Sequence, residues 1–278
     1  MQIKVKTPAK INLTLEITGK REDGYHDIKS IMQMINLYDI LTFDIEESNS
    51  TEIILSGTNP NIPYNEKNLV YKAIKLFMEK TNMPPHRFSV YMEKNIPTEA
   101  GLAGGSSNAA GTFLVLNKYF NNVLSKEELH ELCSKLGSDL NVCLEGGCVL
   151  ATGRGEQVKP LPFKEYPVSL IKPPVGISAK EAYKKYANLK DKPKYNNTEI
   201  ILAFIEKNRD ISPFIYNDLE AAVDKDYDEI QKIKAFNPDA IMTGSGSTFF
   251  VLSDKITPVE DFWTAQDLKT IHTGCEII

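Results

Sequence analysis

Pro97-Thr98-Glu99-Ala100-Gly101-Leu102-Ala103-Gly104-Gly105-Ser106-Ser107-Asn108-Ala109-Ala110 joins a run of strand period to a run of helical period. Before it, Phe88, Val90 and Met92 alternate; after it, Ala109, Phe113, Leu116 and Phe120 recur at spacings of three and four, one face of a helix. The segment is a glycine-rich loop feeding a helix N-terminus. Gly101, Gly104 and Gly105 let successive backbone N–H groups converge with no Cβ in the way, and the helix start adds about half a positive charge, so an anion is favoured there. Ser106 and Ser107 add hydroxyls suited to phosphate oxygens or a Mg²⁺ ion. A generic Gly-Ser cluster is more often a tight turn with a serine cap. Here the adjacent hydroxyls and the small Ala109-Ala110 pair behind the glycines favour a phosphate loop. No Lys follows Gly105, so it is not a Walker A loop. Gly153-Arg154-Gly155 and Gly244-Ser245-Gly246 are not dinucleotide fingerprints, because Val158 and Phe249 stand where a third glycine belongs. The H-R-D and D-F-G signatures of protein kinases are absent.

Outward from this loop, strands and helices mix. Ile11, Leu13, Leu15 and Ile17 alternate with Asn12, Thr14, Glu16 and Thr18, which predicts a strand with one buried face and puts Lys10 on the polar face with Asn12. Other alternating runs end at Phe43 and Ile45 and at Ile53 and Leu55. Leu69, Ala73 and Phe77, with Val70 and Ile74, predict a helix capped by Asn68. Ser125-Lys126-Glu127-Glu128 is a capping box for a helix that turns Leu129, Leu132, Cys133 and Leu136 inward and stops at Gly137, with Ser138 as a fresh cap ahead of Asp139. A strand over 148–152 and the loop Gly153-Arg154-Gly155-Glu156 follow. Prolines at 160, 162, 167, 173 and 174 mark a shift in composition, which divides the chain into domains at 1–160 and 161–278. Beyond it lie helical patterns around 198–207 and 227–236, the run Ala240-Ile241-Met242, a Gly-Ser turn and a strand over 248–252.

The length, 278 residues, suits about two domains. With 32 Lys plus Arg against 37 Asp plus Glu, the net charge of −5 argues against a nucleic-acid surface, which needs a basic face, yet leaves single nucleotides as ligands. Cys133, Cys143, Cys148 and Cys275 form no C-x-x-C pair and lack histidines at zinc spacing, and no apolar run is long enough to span a membrane. These features predict a cytoplasmic enzyme with small-molecule substrates, no nucleic acid and no membrane. His86, His130 and His272 show no partner in the pattern and read as surface residues.

Taken together, the motifs resemble those of the GHMP kinases. Residues 97–110 are similar to the family's P-x-x-x-G-L-x-(G)-S-S-x-A-A phosphate loop, and Thr243-Gly244-Ser245-Gly246-Ser247-Thr248 to its C-terminal glycine-rich motif. Pro8-Ala9-Lys10-Ile11-Asn12-Leu13 and Gly19-Lys20-Arg21-Glu22-Asp23-Gly24-Tyr25-His26 most resemble the branch whose acceptor is a cytidine diphosphate-linked methylerythritol. The similarity continues through Leu136-Gly137-Ser138-Asp139, Gly153-Arg154-Gly155-Glu156 and Asn217-Asp218-Leu219-Glu220. The resemblance implies an α+β two-domain GHMP-kinase fold: an N-terminal α/β domain like ribosomal S5 domain 2 and a ferredoxin-like C-terminal domain, with the site between them. It implies ATP as co-substrate with Mg²⁺, phosphorylation of the acceptor's 2-hydroxyl, and a monomer or homodimer.

Carried over residue by residue, the resemblance makes Lys10 and Asp139 catalytic. ATP would be bound by Pro97, Thr98, Glu99, Ala100, Gly101, Leu102, Ala103, Gly104, Gly105, Ser106 and Ser107, with Asn68 and Leu69 at the adenine. Acceptor contacts fall on Asn12, Tyr25, His26, Tyr183, Gly244 and Ser245, and Mg²⁺ on Ser107. An aromatic face beside a ring nitrogen suits a pyrimidine, one stacking and the other reading an edge. The chain departs from the family at Glu99, expected to point to solvent, at Asn108, where many relatives carry Asp, and at Leu140-Asn141-Val142, in place of Val-Pro-Phe. The alternatives are a GHMP kinase for homoserine or mevalonate, or a non-catalytic nucleotide-binding member. Neither alcohol has a base to stack on Tyr25, His26 or Tyr183, and a binding module has no use for Lys10 and Asp139 together.

Overall fold

The computed structural model describes residues 1–192 and 197–278. The first sheet begins with β1 (Gln2–Asn12), β2 (Thr14–Lys20), β3 (His26–Glu47) and β4 (Glu52–Gly57). Helix α1 (Leu69–Thr81), β5 (His86–Glu93), α2 (Gly104–Tyr119), α3 (Lys126–Leu136), α4 (Leu140–Glu145), β6 (Cys148–Thr152) and β7 (Gln157–Pro160) follow. The long β3 is the frame. It pairs antiparallel with β1 along most of its length, with β5 over its second half, and with β2 and β6 over its first half. Helices α1 to α3 pack Val70, Phe77, Phe113, Leu116, Leu132 and Cys133 onto Phe43, Phe88 and Val90. Side chains of this size contribute roughly 1.5–3 kcal/mol each when fully buried. Asn68 caps α1 by accepting from the Val70 N–H at 2.9 Å, and Ser125 with Glu128 closes the capping box of α3.

The chain continues with β8 (Pro167–Lys172), α5 (Ala179–Ala187), α6 (Asn197–Glu206), β9 (Tyr216–Asn217), α7 (Glu220–Val223), α8 (Asp228–Phe236), β10 (Ile241–Met242), β11 (Phe249–Val251), β12 (Trp263–Lys269) and β13 (Glu276–Ile277). A second, antiparallel sheet takes the order β10-β11-β8-β12. Val168, Leu170 and Phe250 from it meet Ala9, Ile11, Leu13, Ile31 and Ile35 of the first sheet. Met32 and Met34, on the opposite face, meet Ala110, Val142 and Cys143.

The expected strand with one buried face is therefore corrected in two ways. It breaks at Leu13 between β1 and β2, and both of its faces are covered, leaving Lys10 2% and Asn12 0% exposed. The second half also reaches back: β9 pairs parallel with β2, and β13 pairs with β1. His86 is not a surface residue. It is buried, its Nδ1 lies 2.8 Å from the Pro84 carbonyl oxygen, and its ring packs with Phe88, Tyr119 and Phe120. His130 is half-buried and faces Glu145 at 3.3 Å. Among the described residues no helix is long and apolar enough to cross a membrane.

A buried polar cluster fixes both ends of the glycine-rich loop. Asp39 of β3 is paired with Lys94 and accepts from the Asn95 N–H at 2.8 Å, the Ile96 N–H at 2.9 Å and Asn108 Nδ2 at 2.9 Å. Lys94 Nζ also donates to Asn108 Oδ1 at 2.8 Å. An amide at 108 both donates to the Asp39 carboxylate and accepts from the lysine; an ionised Asp there would set two carboxylates together. Buried ion pairs repay desolvation only when their remaining hydrogen-bonding capacity is used, as it is here. Asp39→Ala, which strands a buried ammonium, is expected to cost about 3–5 kcal/mol of unfolding free energy, measured by urea denaturation.

Candidate active site

The loop enters α2 through Ala103, in the left-handed region at φ 58°, and the helix has no side-chain N-cap. Its first N–H groups, on Gly104, Gly105 and Ser106, thus lack the serine cap that a plain turn would supply, and remain donors for an anion. Gly101 has φ 70° and lies so close to Thr243 that a Cβ would collide with that residue's carbonyl oxygen. Glycine is needed there for both reasons. The loop and the 243–248 turn of the second sheet therefore meet backbone to backbone.

Lys10 sits at that junction. Its Nζ donates to Asn12 Oδ1 at 2.6 Å and to the Gly101 carbonyl at 2.9 Å, and lies 3.9 Å from Asp139 Oδ2. Asn12 Oδ1 also accepts from the Gly244 N–H at 2.9 Å, and Thr243 Oγ1 accepts from the Asn12 N–H at 3.0 Å. From behind, Asn217 Nδ2 donates to the carbonyls of Met242 and Gly244, both at 2.7 Å. Asp139 itself, rather than Ser138, occupies the N-cap position of α4, yet its side chain makes no capping bond; the carboxylate is 33% exposed. An ionisable group uncommitted to structure thus faces a buried ammonium.

An aromatic group lies within reach of the Asp139 charge. His26 stacks on Tyr183 of α5 with centroids 5.2 Å apart and planes 20° from parallel, and meets the edge of Tyr186 at 6.5 Å. Burial, with Lys20 and Lys192 nearby, pushes the His26 pKa below its ordinary value, so the ring is neutral at pH 7. Burial, with the charge of Asp139 adding to it, pushes the Tyr183 hydroxyl up.

The structure redistributes several expected roles. Asn12, expected at the acceptor, is wholly buried with both amide ends committed, Nδ2 donating to Ser30 Oγ at 2.9 Å; its place is beneath Lys10. Ser107, expected to hold Mg²⁺, is buried with its hydroxyl 3.8 Å from Cys275 Sγ, and Ser106 is the partly open hydroxyl. Tyr25 is 56% exposed and apart from the His26–Tyr183 stack, with the Arg154 guanidinium 5.2 Å above its ring. Asn68 is spent on the α1 cap and the Pro63 carbonyl, whereas Leu69 lies beside Gly105. Ala100 and Leu102 point inward, so only their backbone could meet a ligand. Glu99 is exposed, as expected, and leans on Gly176. Pro97 and Thr98 line a cavity of about 360 Å³ with Lys94, Lys172 and Trp263. Gly244 is buried against Lys10, and Ser245 is half-exposed. Sequence patterns gave Asp39, Thr243 and Asn217 no individual role, because their partners lie far away in the chain.

Known proteins resemble this chain in sequence and in fold. Residues 68–148 match the GHMP kinases N terminal domain. The chain is 40% identical to the 4-diphosphocytidyl-2-C-methyl-D-erythritol kinase of Thermoanaerobacter pseudethanolicus over 98% of this chain and 94% of that one, and 40% identical to its namesake from Clostridium beijerinckii over 91% of each. Among solved structures, a 4-(cytidine 5'-diphospho)-2C-methyl-D-erythritol kinase superposes with TM-score 0.74 at 30% identity over 90% of each chain. The homoserine kinase of Cytophaga hutchinsonii gives TM-score 0.77 at 18% identity over 100% of this chain and 97% of that one, a likeness of fold.

Gly101→Ala is expected to force the loop away from the Thr243 carbonyl and to strain the backbone by about 1–3 kcal/mol. ATP affinity, read by titration calorimetry, should fall roughly tenfold while far-ultraviolet circular dichroism stays unchanged.

Proposed function

The chain belongs to the GHMP kinases, and within them to the 4-diphosphocytidyl-2-C-methyl-D-erythritol kinases; from that premise we propose that it transfers the γ-phosphoryl group of ATP to the 2-hydroxyl of this acceptor, a step of the non-mevalonate route to isoprenoids. The observation that carries the mechanism is the 3.9 Å approach of Lys10 to Asp139 where the loop of the first sheet meets the turn of the second. Phosphoryl transfer asks little covalent chemistry of a protein and much positioning. The open amides at the start of α2 hold the donor phosphates. Asp139 orients the acceptor hydroxyl and takes its proton, while Lys10 offsets negative charge on the group in transit.

The donor set suits a magnesium ion held mostly by the nucleotide. Among the described residues no three acidic, histidine or cysteine side chains gather to hold a metal, and Mg²⁺ typically takes one or two protein oxygens beside phosphates and water. Ser106 would supply one, and the ion, when bound, would neutralise charge on the phosphate oxygens. The His26–Tyr183 stack supports a cytidine-bearing acceptor over homoserine or mevalonate, which have no base. The division at 160/161 remains part of this reading, supported by the second sheet starting at β8; the C-terminal strand β13 crosses back over it. So does a cytoplasmic location, where ATP and the acceptor would be at hand.

ADP release with ATP, Mg²⁺ and each of the three alcohols tests the assignment: the cytidine-linked methylerythritol should be the acceptor, and silence with it would contradict the reading. Asp139→Asn should lower turnover by about 10²–10⁴ while ATP still binds. A third expectation concerns pH. The ordinary His26 value is 6.5 and burial lowers it, so the neutral ring persists to lower pH, and the acceptor KM should be flat above 6.5 and rise only below it. His26→Gln should remove that rise.

A further inference from the structure

We propose that Arg154 recognises the diphosphate of the acceptor. The inference rests on the acceptor assignment above, since it names the residue that reads the bridge between cytidine and methylerythritol. Three observations support this assignment.

The first is the anchoring of its loop. The Gly153 carbonyl accepts from the Ile28 N–H at 2.7 Å, two residues after His26, and the Glu156 carbonyl accepts from Asn141 Nδ2 at 2.7 Å, two residues after Asp139. Between them, a Cβ on Gly155 would come within 3.4 Å of both Ile28 Cδ1 and Ser138 Cβ. The loop therefore spans from the base-binding rings to the reactive carboxylate. An acceptor with its base at His26 and its hydroxyl at Asp139 must carry its diphosphate along the same span.

The second is the state of the guanidinium. Its side chain is 28% exposed and rests over the Tyr25 ring at 5.2 Å, a cation–π contact that fixes one face and leaves the N–H edges free. Among the described residues those edges make no hydrogen bond. The nearest carboxylate oxygen, Glu156 Oε2, is 3.8 Å from Nε and already accepts the Arg154 backbone N–H at 2.7 Å.

The third is that three of the neighbouring cations are engaged, while Lys20 and Lys192 lie nearer the His26 ring. Arg21 is taken by Asp23 at 3.1 Å and Asp27 at 2.9 Å, Lys29 by Glu199, and Lys10 by Asn12 and Gly101. Asp23, whose carboxyl also feels Arg154, is held in addition by the Tyr25 N–H at 3.1 Å. Arg154 is thus a planar fork, half-desolvated and underused, and this is the geometry that binds phosphate oxygens in pairs.

The test compares binding of CDP and of cytidine to the wild-type chain, Arg154→Met and Arg154→Lys by titration calorimetry, with KM values for acceptor and ATP alongside. Charge-assisted hydrogen bonds lost in Arg154→Met should weaken CDP about tenfold or more and leave cytidine within about twofold, with Arg154→Lys in between because it keeps the charge without the fork. The acceptor KM should follow CDP, and the ATP KM should hold. Equal weakening of CDP and cytidine, or no change in either, would overturn the proposal. Wild-type turnover of the acceptor is read separately and tests the assignment on which the inference rests.

Discussion

An ammonium buried to 2% exposure must find its hydrogen-bond partners inside the protein, and those that Lys10 finds come from separate parts of the chain. Asn12 is on its own strand and the Gly101 carbonyl is in the loop, while Asp139, which opens α4, faces the ammonium as an ion pair at 3.9 Å. The same Asn12 oxygen takes the Gly244 N–H from the second sheet's turn. Leaving such a charge unpaired would cost several kcal/mol, so the position of one nitrogen dictates where the loop, the turn and the carboxylate must stand. This also answers how a chain of net charge −5 receives two polyanions. Its overall field opposes them, and the proposed attraction is local, from Lys10, the open amides of α2 and Arg154, with Lys20 and Lys192 near His26.

Around that junction the two proposed substrate ends are built differently. The donor end is backbone, held taut by Asp39, which ties the residues before Pro97 to Asn108 within α2. The proposed acceptor end is side chains: His26 against Tyr183, with the guanidinium over Tyr25. Rigid placement at one end and rings at the other suit a reaction governed by alignment.

What was legible in the sequence is what local spacing encodes. The Asn68 cap, the Ser125 capping box, the helix after Gly105 and the alternation of β5 all depend on residues within a turn or two of each other. Lys10 and Asp139 came from resemblance, since a lone lysine or aspartate carries no signal of its partner. The misses share one cause. The burial of Asn12 and Ser107 was not legible, because the layers that cover them arrive from far along the chain: the 243–248 turn over Asn12, and Cys275 beside Ser107. His86 looked exposed because its ring partners Tyr119 and Phe120 lie on the far end of α2. Arg154 was visible only as part of a loop motif, and its role depends on Ile28 and Asn141 fixing that loop from two sides.

In the proposed mechanism Asp139 faces one hydroxyl of the acceptor, and the site of phosphorylation tests this most directly. Carbon 2 of the methylerythritol bears a methyl group and no hydrogen, so a monoester there has no three-bond coupling between phosphorus and a proton. Phosphorus NMR of the product, recorded with and without proton decoupling, should show one new monoester signal whose width does not change. A new monoester split by three-bond proton coupling would place the phosphate on another hydroxyl and contradict the assignment.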